Sequence, residues 1–148
     1  MDNIDKDILK IIQEGFPLSE RPYDDLAEDL GLSSEGLLRR VMGLKDAGVI
    51  RRIGAVLNSG ALGIVTTLCA AKVPKDKINT FAEVVNSKDR VTHNYLRDGR
   101  YNVWFTLWGK SDKEINDTIA EIKEKTKVDE ISLFPSLKTY KIRAVFDP

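Results

Sequence analysis

His93-Asn94-Tyr95-Leu96-Arg97-Asp98-Gly99-Arg100-Tyr101-Asn102-Val103-Trp104-Phe105-Thr106 reads as a chain that folds back on itself. Asp98-Gly99 is a hairpin turn signal, because tight hairpin turns need residues that accept positive φ. It predicts one strand from Val91 to Arg97 and a second from Tyr101 to Trp108. In the second strand Val103, Phe105 and Leu107 alternate with Asn102, Trp104 and Thr106, which is the period of a sheet with one covered and one open face. The hairpin gathers the only histidine of the chain, two arginines, two tyrosines and a tryptophan at one end of a sheet. Such a set suits a large, flat, multiply charged anion. An amphipathic hairpin with ordinary core aromatics accounts for the same residue types.

Outward from the hairpin, Ile64–Val73 is strand-like, and a helix follows from Lys75 to about Asn86. After the hairpin, Ser111 caps a helix whose apolar stripe is Ile115, Ile119 and Ile122. A final extended segment is expected from Ile131 to Phe146. The order β-α-β-β-α-β is the ferredoxin-like arrangement, in which two helices cover one sheet face and leave the other for a partner chain or a ligand.

The first third has a helical rhythm instead. Ile4, Ile8, Ile11 and Ile12 form one stripe, closed by Gly15. Pro22 suits the first turn of a second helix carrying Leu26, Ala27 and Leu30, with Gly31 at its end. Ser33 or Ser34 caps a third helix with Leu37, Leu38, Val41 and Leu44, ending near Gly48. Val49–Leu57 reads as a strand, and three short helices with such a wing make a winged helix-turn-helix. The expected architecture is therefore α+β: a winged helix-turn-helix at 1–57, a linker at 58–63 and a ferredoxin-like domain at 64–148.

Composition narrows the function classes. Of 148 residues, 42% are hydrophobic and 31% charged, as in a soluble globular protein. No apolar run approaches the roughly 20 residues that span a bilayer. The N-terminus Met1-Asp2-Asn3-Ile4-Asp5 is acidic and lacks a signal pattern, so a cytoplasmic location and no membrane partner are expected. Cys69 is the only cysteine, which excludes an internal disulfide and a cysteine metal cluster, and its strand-like setting suits a buried small hydrophobe.

The net charge is zero, but residues 1–60 carry 11 acids against 8 bases, and residues 61–148 carry 12 acids against 15 bases. A DNA-binding module normally has a basic footprint, whereas here the half that resembles one is acidic. The third helix offers Arg39, Arg40 and Lys45 but also Glu35 and Asp46, and Gly36 and Gly43 each weaken it by about 1 kcal/mol. DNA binding is not expected.

Chemistry-bearing residues concentrate in the second half. An imidazole can act as acid, base or iron ligand, which makes His93 a candidate for any of these roles. Arg51 and Arg52 occupy adjacent positions of the expected wing strand and so should point to opposite faces. With Arg97, Arg100, Lys138, Lys141 and Arg143 the chain has enough cations for a polycarboxylate. There is no metal-ligand cluster, catalytic triad order, phosphate loop or paired-carboxylate signature, so any metal is expected to arrive within a cofactor or substrate.

The whole chain resembles the Lrp/AsnC family. Five blocks narrow the resemblance to siroheme decarboxylase subunits. These are Gly15-Phe16-Pro17-Leu18 with Arg21-Pro22-Tyr23, Leu44-Lys45 through Gly48-Val49-Ile50-Arg51-Arg52-Ile53-Gly54-Ala55-Val56, His93-Asn94-Tyr95, Tyr101-Asn102-Val103-Trp104-Phe105-Thr106, and Lys141-Ile142-Arg143. The resemblance is closer to the sulfate-reducer and archaeal type than to the denitrifier type, and to the first, or alpha, subunit.

The resemblance implies a heterodimer of homologous subunits that removes CO2 from two acetate side chains of siroheme, giving didecarboxysiroheme for haem biosynthesis. It implies no cofactor beyond the substrate, and leaves two roles open for His93 there, axial ligand to the siroheme iron or contact with a carboxylate. The candidate catalytic residues are His93 and Tyr95, and the candidate substrate-binding residues are Arg51, Arg52, Tyr101, Asn102 and Trp104 from these blocks, with Arg97 and Arg100 from the hairpin between them. Related chains often carry a histidine just after the Gly-Ala-Val block. Here Leu57-Asn58-Ser59-Gly60-Ala61-Leu62-Gly63 has none, so the partner subunit is expected to supply one. An Lrp/AsnC-type DNA-binding regulator and a non-catalytic haem or tetrapyrrole sensor are the competing readings.

Overall fold

The structure, a computed structural model, describes residues 1–148. They divide into two units, one made of Met1–Val56 with Lys141–Pro148 and the other of Leu57–Tyr140.

The first unit is three helices, α1 (Asn3–Glu14), α2 (Pro22–Asp29) and α3 (Ser34–Asp46). Each begins where local chemistry allows. Asp2 caps α1 in a reciprocal capping box with Asp5, Pro22 opens α2 at a position that needs no N–H, and Ser33 accepts from the Gly36 amide at the start of α3. Gly31 and Gly48 follow α2 and α3 in the left-handed region, at φ +63° and +75°. Ile8, Leu9, Leu26, Ala27, Leu37, Val41, Leu44 and Ile50 form the core. Burying an aliphatic side chain of this size stabilises by about 1.5–3 kcal/mol.

Two expectations fail here. Val49–Leu57 forms no strand. The Val49 and Ile50 amides instead donate to the Leu44 carbonyl and finish α3. No strand of this unit pairs with the remainder, and a single strand leaves its backbone groups without a ladder. The unit is a helix-turn-helix without a wing strand.

The second failure concerns the tail, which does not continue the last strand to Phe146. The strand stops at Pro135, which has no N–H to donate. Lys141–Pro148 groups with the first unit rather than with the ferredoxin-like domain expected to extend to 148. The Phe146 amide donates to Gln13 Oε1 (2.8 Å), Gln13 Nε2 donates to the Phe146 carbonyl (3.1 Å), and Arg143 pairs with Glu14 (2.8 Å).

The second unit runs β1 (Val65–Ala71), α4 (Ile78–Asn86), β2 (Val91–Leu96), β3 (Val103–Gly109), α5 (Asp112–Thr126) and β4 (Ile131–Pro135). The sheet is antiparallel in the order β2-β3-β1-β4, the ferredoxin-like topology. The expected helix from Lys75 opens as a 3₁₀ turn, Lys75–Lys77, and the expected linker contains another at Gly60–Leu62.

Cys69, Ala71, Val103, Phe105 and Leu107 point from the sheet into a core shared with Phe81 and Val85 of α4 and Ile115, Ile119 and Ile122 of α5. Cys69 is fully buried, and burial pushes its thiol up to about 12, so it packs as an inert hydrophobe. Glu121 of α5 takes Lys88, just beyond α4, and Lys125 on its own helix. Residues on the opposite sheet face, Leu68, Tyr95 and Phe134, are 42%, 52% and 47% exposed. No helix is long and apolar enough to cross a membrane.

Candidate functional site

The uncovered sheet face carries a cavity of about 570 Å³, lined by Leu68, His93, Tyr95, Arg97, Asp98, Gly99, Arg100, Tyr101, Trp104 and Thr106. Strand register builds its floor. Leu68 pairs with Thr106, and Tyr95 pairs with Trp104, so all four share one face.

His93 reaches that face through an irregularity. Val91 pairs with Leu107 and His93 with Thr106, so two steps on β2 match one on β3. This bulge leaves Val91 against the core while His93 and Tyr95 turn to the open side. Without it, His93 would stand opposite Phe105 on the helix-covered face. Asn94 takes that place and donates to Asn86 of α4 at 3.0 Å.

The β2–β3 connection is longer than the three residues, 98–100, left between the expected strands. Arg97 N–H donates to the Asn102 carbonyl at 2.8 Å, closing a four-residue loop, Asp98–Tyr101, with Gly99 at φ +114°. Arg97 stands just before this loop and Arg100 within it. The Arg97 guanidinium lies 5.9 Å from the centre of the Tyr95 ring. Tyr95 in turn stacks on His93, centroids 6.1 Å apart and 21° between planes, and His93 Nδ1 is 3.1 Å from Thr92 Oγ1.

Arg100 sits over Tyr101 at 5.6 Å and pairs with Glu130 at 2.8 Å. The pair shifts both groups in the expected senses: the Arg100 guanidinium holds the Glu130 carboxyl below the usual carboxylate range, and Glu130 raises Arg100. Trp104 donates its indole N–H to the Tyr101 carbonyl at 2.8 Å and stacks on Phe134 at 5.9 Å. The site thus offers an apolar aromatic floor, an exposed imidazole and two guanidiniums held by aromatic rings. It can take a flat anion, with rings against its face and carboxylates at its edge. No group of three or more His, Cys, Asp or Glu side chains is arranged to hold a metal ion.

Of the residues nominated from sequence, His93, Tyr95, Arg97, Arg100, Tyr101 and Trp104 come together here. Asn102 does not line the cavity. Its amide is spent on the backbone of Val73, accepting from the N–H and donating to the C=O, both at 2.8 Å. Arg51 and Arg52 belong to the first unit. With no wing strand to send them to opposite faces, both line one groove of about 790 Å³ with Leu9, Ile12, Phe16 and Ile53. Of the α3 cations, Arg40 is spent inside the unit, at 2.9 Å from Asp2 and 2.7 Å from Asp5.

Sequence reasoning missed Leu68, Thr106 and Glu130. Strand alternation in Val65–Ala71 places Leu68 opposite in sense to Cys69 and was signal enough for the first. Nothing local marks Glu130, whose role depends on a residue 30 positions away.

Comparisons with known proteins agree with this architecture. Residues 5–51 match a family model described as the siroheme decarboxylase NirDL-like HTH domain, and residues 61–141 match the AsnC-like ligand binding domain. The chain is 50% identical over 146 residues to the siroheme decarboxylase alpha subunit of Desulfovibrio desulfuricans, covering 99% of this chain and 84% of that one. It is 36% identical over 140 residues to the siroheme decarboxylase NirG subunit of Paracoccus pantotrophus, covering 95% and 88%. It is also similar to the crystal structure of the siroheme decarboxylase NirDL in co-complex with an iron-uroporphyrin III analogue. That match has a TM-score of 0.72 and 33% identity, and covers 95% of this chain and 47%, about half, of the other. With a helix-turn-helix unit, an AsnC-like unit and half of its residues shared with an alpha subunit, the chain belongs to the siroheme decarboxylase family.

Proposed function

We propose that the chain works as one subunit of a siroheme decarboxylase. With a homologous second subunit, it removes CO2 from the two pyrrole acetate side chains of siroheme to give didecarboxysiroheme in haem biosynthesis. The observation that carries this reading is the cavity at the β2–β3 loop, where an imidazole and two guanidiniums edge an aromatic floor. A carboxylate-bearing tetrapyrrole needs both parts, apolar area for the macrocycle and cations for its side chains.

The chemistry asks for an electron sink, an acid and anchors. Breaking the bond between the acetate methylene and its carboxylate releases CO2 and leaves an electron pair on the methylene carbon, which the macrocycle delocalises. A positioned acid then delivers a proton to that carbon, and the acetate becomes a methyl group. His93, exposed in the cavity and stacked on Tyr95, is the proposed donor, with Tyr95 holding the ring. Arg97 takes part in no ion pair and is available to a substrate carboxylate, as is the outer edge of Arg100. Trp104 supplies part of the floor, and Tyr101 lines the cavity from the loop. Iron arrives within the substrate, and no further cofactor is proposed.

The second subunit completes the site with the histidine that residues 57–63 of this chain lack. DNA is not proposed as a partner. Residues 1–60 carry three more acids than bases, and Arg40 of α3 is occupied by Asp2 and Asp5. The test is co-expression with the partner subunit, incubation with siroheme and mass spectrometry of the pigment. Loss of two CO2 units is expected. Siroheme that binds, as its visible spectrum reports, but is recovered unchanged would overturn the catalytic reading and leave a sensor.

A further inference from the structure

Arg100 reaches the cavity from a loop and is 71% exposed along its side chain. A free arginine in that position would lose rotamer freedom on gripping a ligand. Here the ordering is already done. Nε and Nη2 both donate to one oxygen of Glu130, Oε1, at 3.2 and 2.8 Å. The guanidinium also lies over the Tyr101 ring at 5.6 Å.

Glu130 is itself held from behind. Its carbonyl accepts from the Lys72 amide at 2.9 Å, and Lys72 Nζ stands 3.6 Å from Oε2. Lys72 directly follows β1, so the anchor is the end of the sheet. A guanidinium presents five N–H donors in a rigid fork. Glu130 occupies one edge through a single oxygen, and the other edge, formed by Nη1 and the second N–H of Nη2, is left free to take a carboxylate bidentately.

We propose that Glu130 is a positioning residue for substrate binding, holding Arg100 so that its unoccupied edge faces a substrate carboxylate. The inference rests on the cavity being the siroheme site. Glu130 does two things of opposite sign. As an acceptor it orders Arg100 and strengthens binding. As a negative charge beside an anionic ligand it weakens binding. Glu130→Gln keeps an acceptor oxygen and removes the charge, whereas Glu130→Ala removes both, so the difference between the two variants isolates positioning.

Siroheme is titrated into the complex of the two subunits, carrying each variant, and followed by visible absorption, with KM and kcat measured in parallel. The expected result is a dissociation constant about three- to tenfold higher for Glu130→Ala than for Glu130→Gln, the cost of ordering one arginine side chain on binding. KM should follow and kcat at saturation should not, which a general loss of structure would not produce. Two variants that bind siroheme alike, while Arg100→Ala weakens binding, would overturn the positioning role and leave the cavity reading standing. Unchanged binding in Arg97→Ala and Arg100→Ala as well would overturn both.

Discussion

Replacing Asn102 by alanine should destabilise the sheet unit rather than empty the candidate site. The Asn102 amide makes two hydrogen bonds to Val73, one to its N–H and one to its C=O, each 2.8 Å long. Val73 is only 3% exposed, so water does not readily replace either bond. A typical intramolecular hydrogen bond contributes about 1 kcal/mol net, and a buried group left without a partner costs about 1–3 kcal/mol. Two orphaned backbone groups therefore place the loss at about 2–4 kcal/mol.

For a unit the size of Leu57–Tyr140, even about 2 kcal/mol lowers Tm by roughly 8–16 °C. Asn102→Asp should be at least as damaging, because a carboxylate can still accept from the Val73 N–H but faces the Val73 carbonyl oxygen with no donor. Calorimetry on the variants reports the Tm, and siroheme titration below the transition reports binding. An unchanged Tm together with weakened siroheme binding would show that Asn102 serves the ligand and that the Val73 contacts are incidental.

His93→Ala should leave Tm unchanged, since His93 is exposed and its one hydrogen bond is to the neighbouring Thr92, while decarboxylation falls about 100-fold or more if His93 is the acid. A shifted pigment spectrum with a smaller loss of turnover would assign it to iron instead, and unchanged turnover and spectrum would remove it from the site. Gly43→Ala should stabilise the first unit by about 1 kcal/mol in a denaturant titration, because a Cβ there meets nothing within 4 Å, whereas at Gly36 it would meet Ser33 Oγ at 3.0 Å and gain less. Lys125 and Lys88 hold the Glu121 carboxyl down at about 2, against an ordinary value of 4.5. That contribution to stability is fully present above about pH 4.5 and is lost as pH falls toward 2. Denaturation curves across this window should show Glu121→Gln flattening the acid slope, and an identical slope in the variant would contradict the assignment.

Several features were legible because their causes lie within a few residues of each other. The caps at Ser33 and Ser111, the proline opening α2 and the isoleucine stripe of α5 are local signals, and the helices begin where those signals put them. The alternation of Val103, Phe105 and Leu107 told covered face from open face for the same reason, since strand geometry sends neighbours to opposite sides. Six of the nominated residues line one cavity because one hairpin carries them all.

Other features depend on partners far along the chain, and these required the folded molecule. A strict alternation puts Val91, His93 and Tyr95 on one face, but pairing with β3 inserts a bulge that leaves Val91 in the core and turns His93 outward. Asn102 is a ligand-binding amide by its place in the sequence, but the backbone of Val73 engages both its oxygen and its nitrogen. Arg40 and Arg100 are alike in sequence as exposed cations, yet one is spent on the cap of α1 and the other is held at the cavity by Glu130. The wing failed because a strand exists only where another strand takes its hydrogen bonds. Hydrophobic period and capping chemistry are properties of short segments, and a linear chain displays them. Register, ion-pair choice and the fate of an amide depend on which distant groups folding brings within 3 Å, and only the assembled sheet and helices supply those distances.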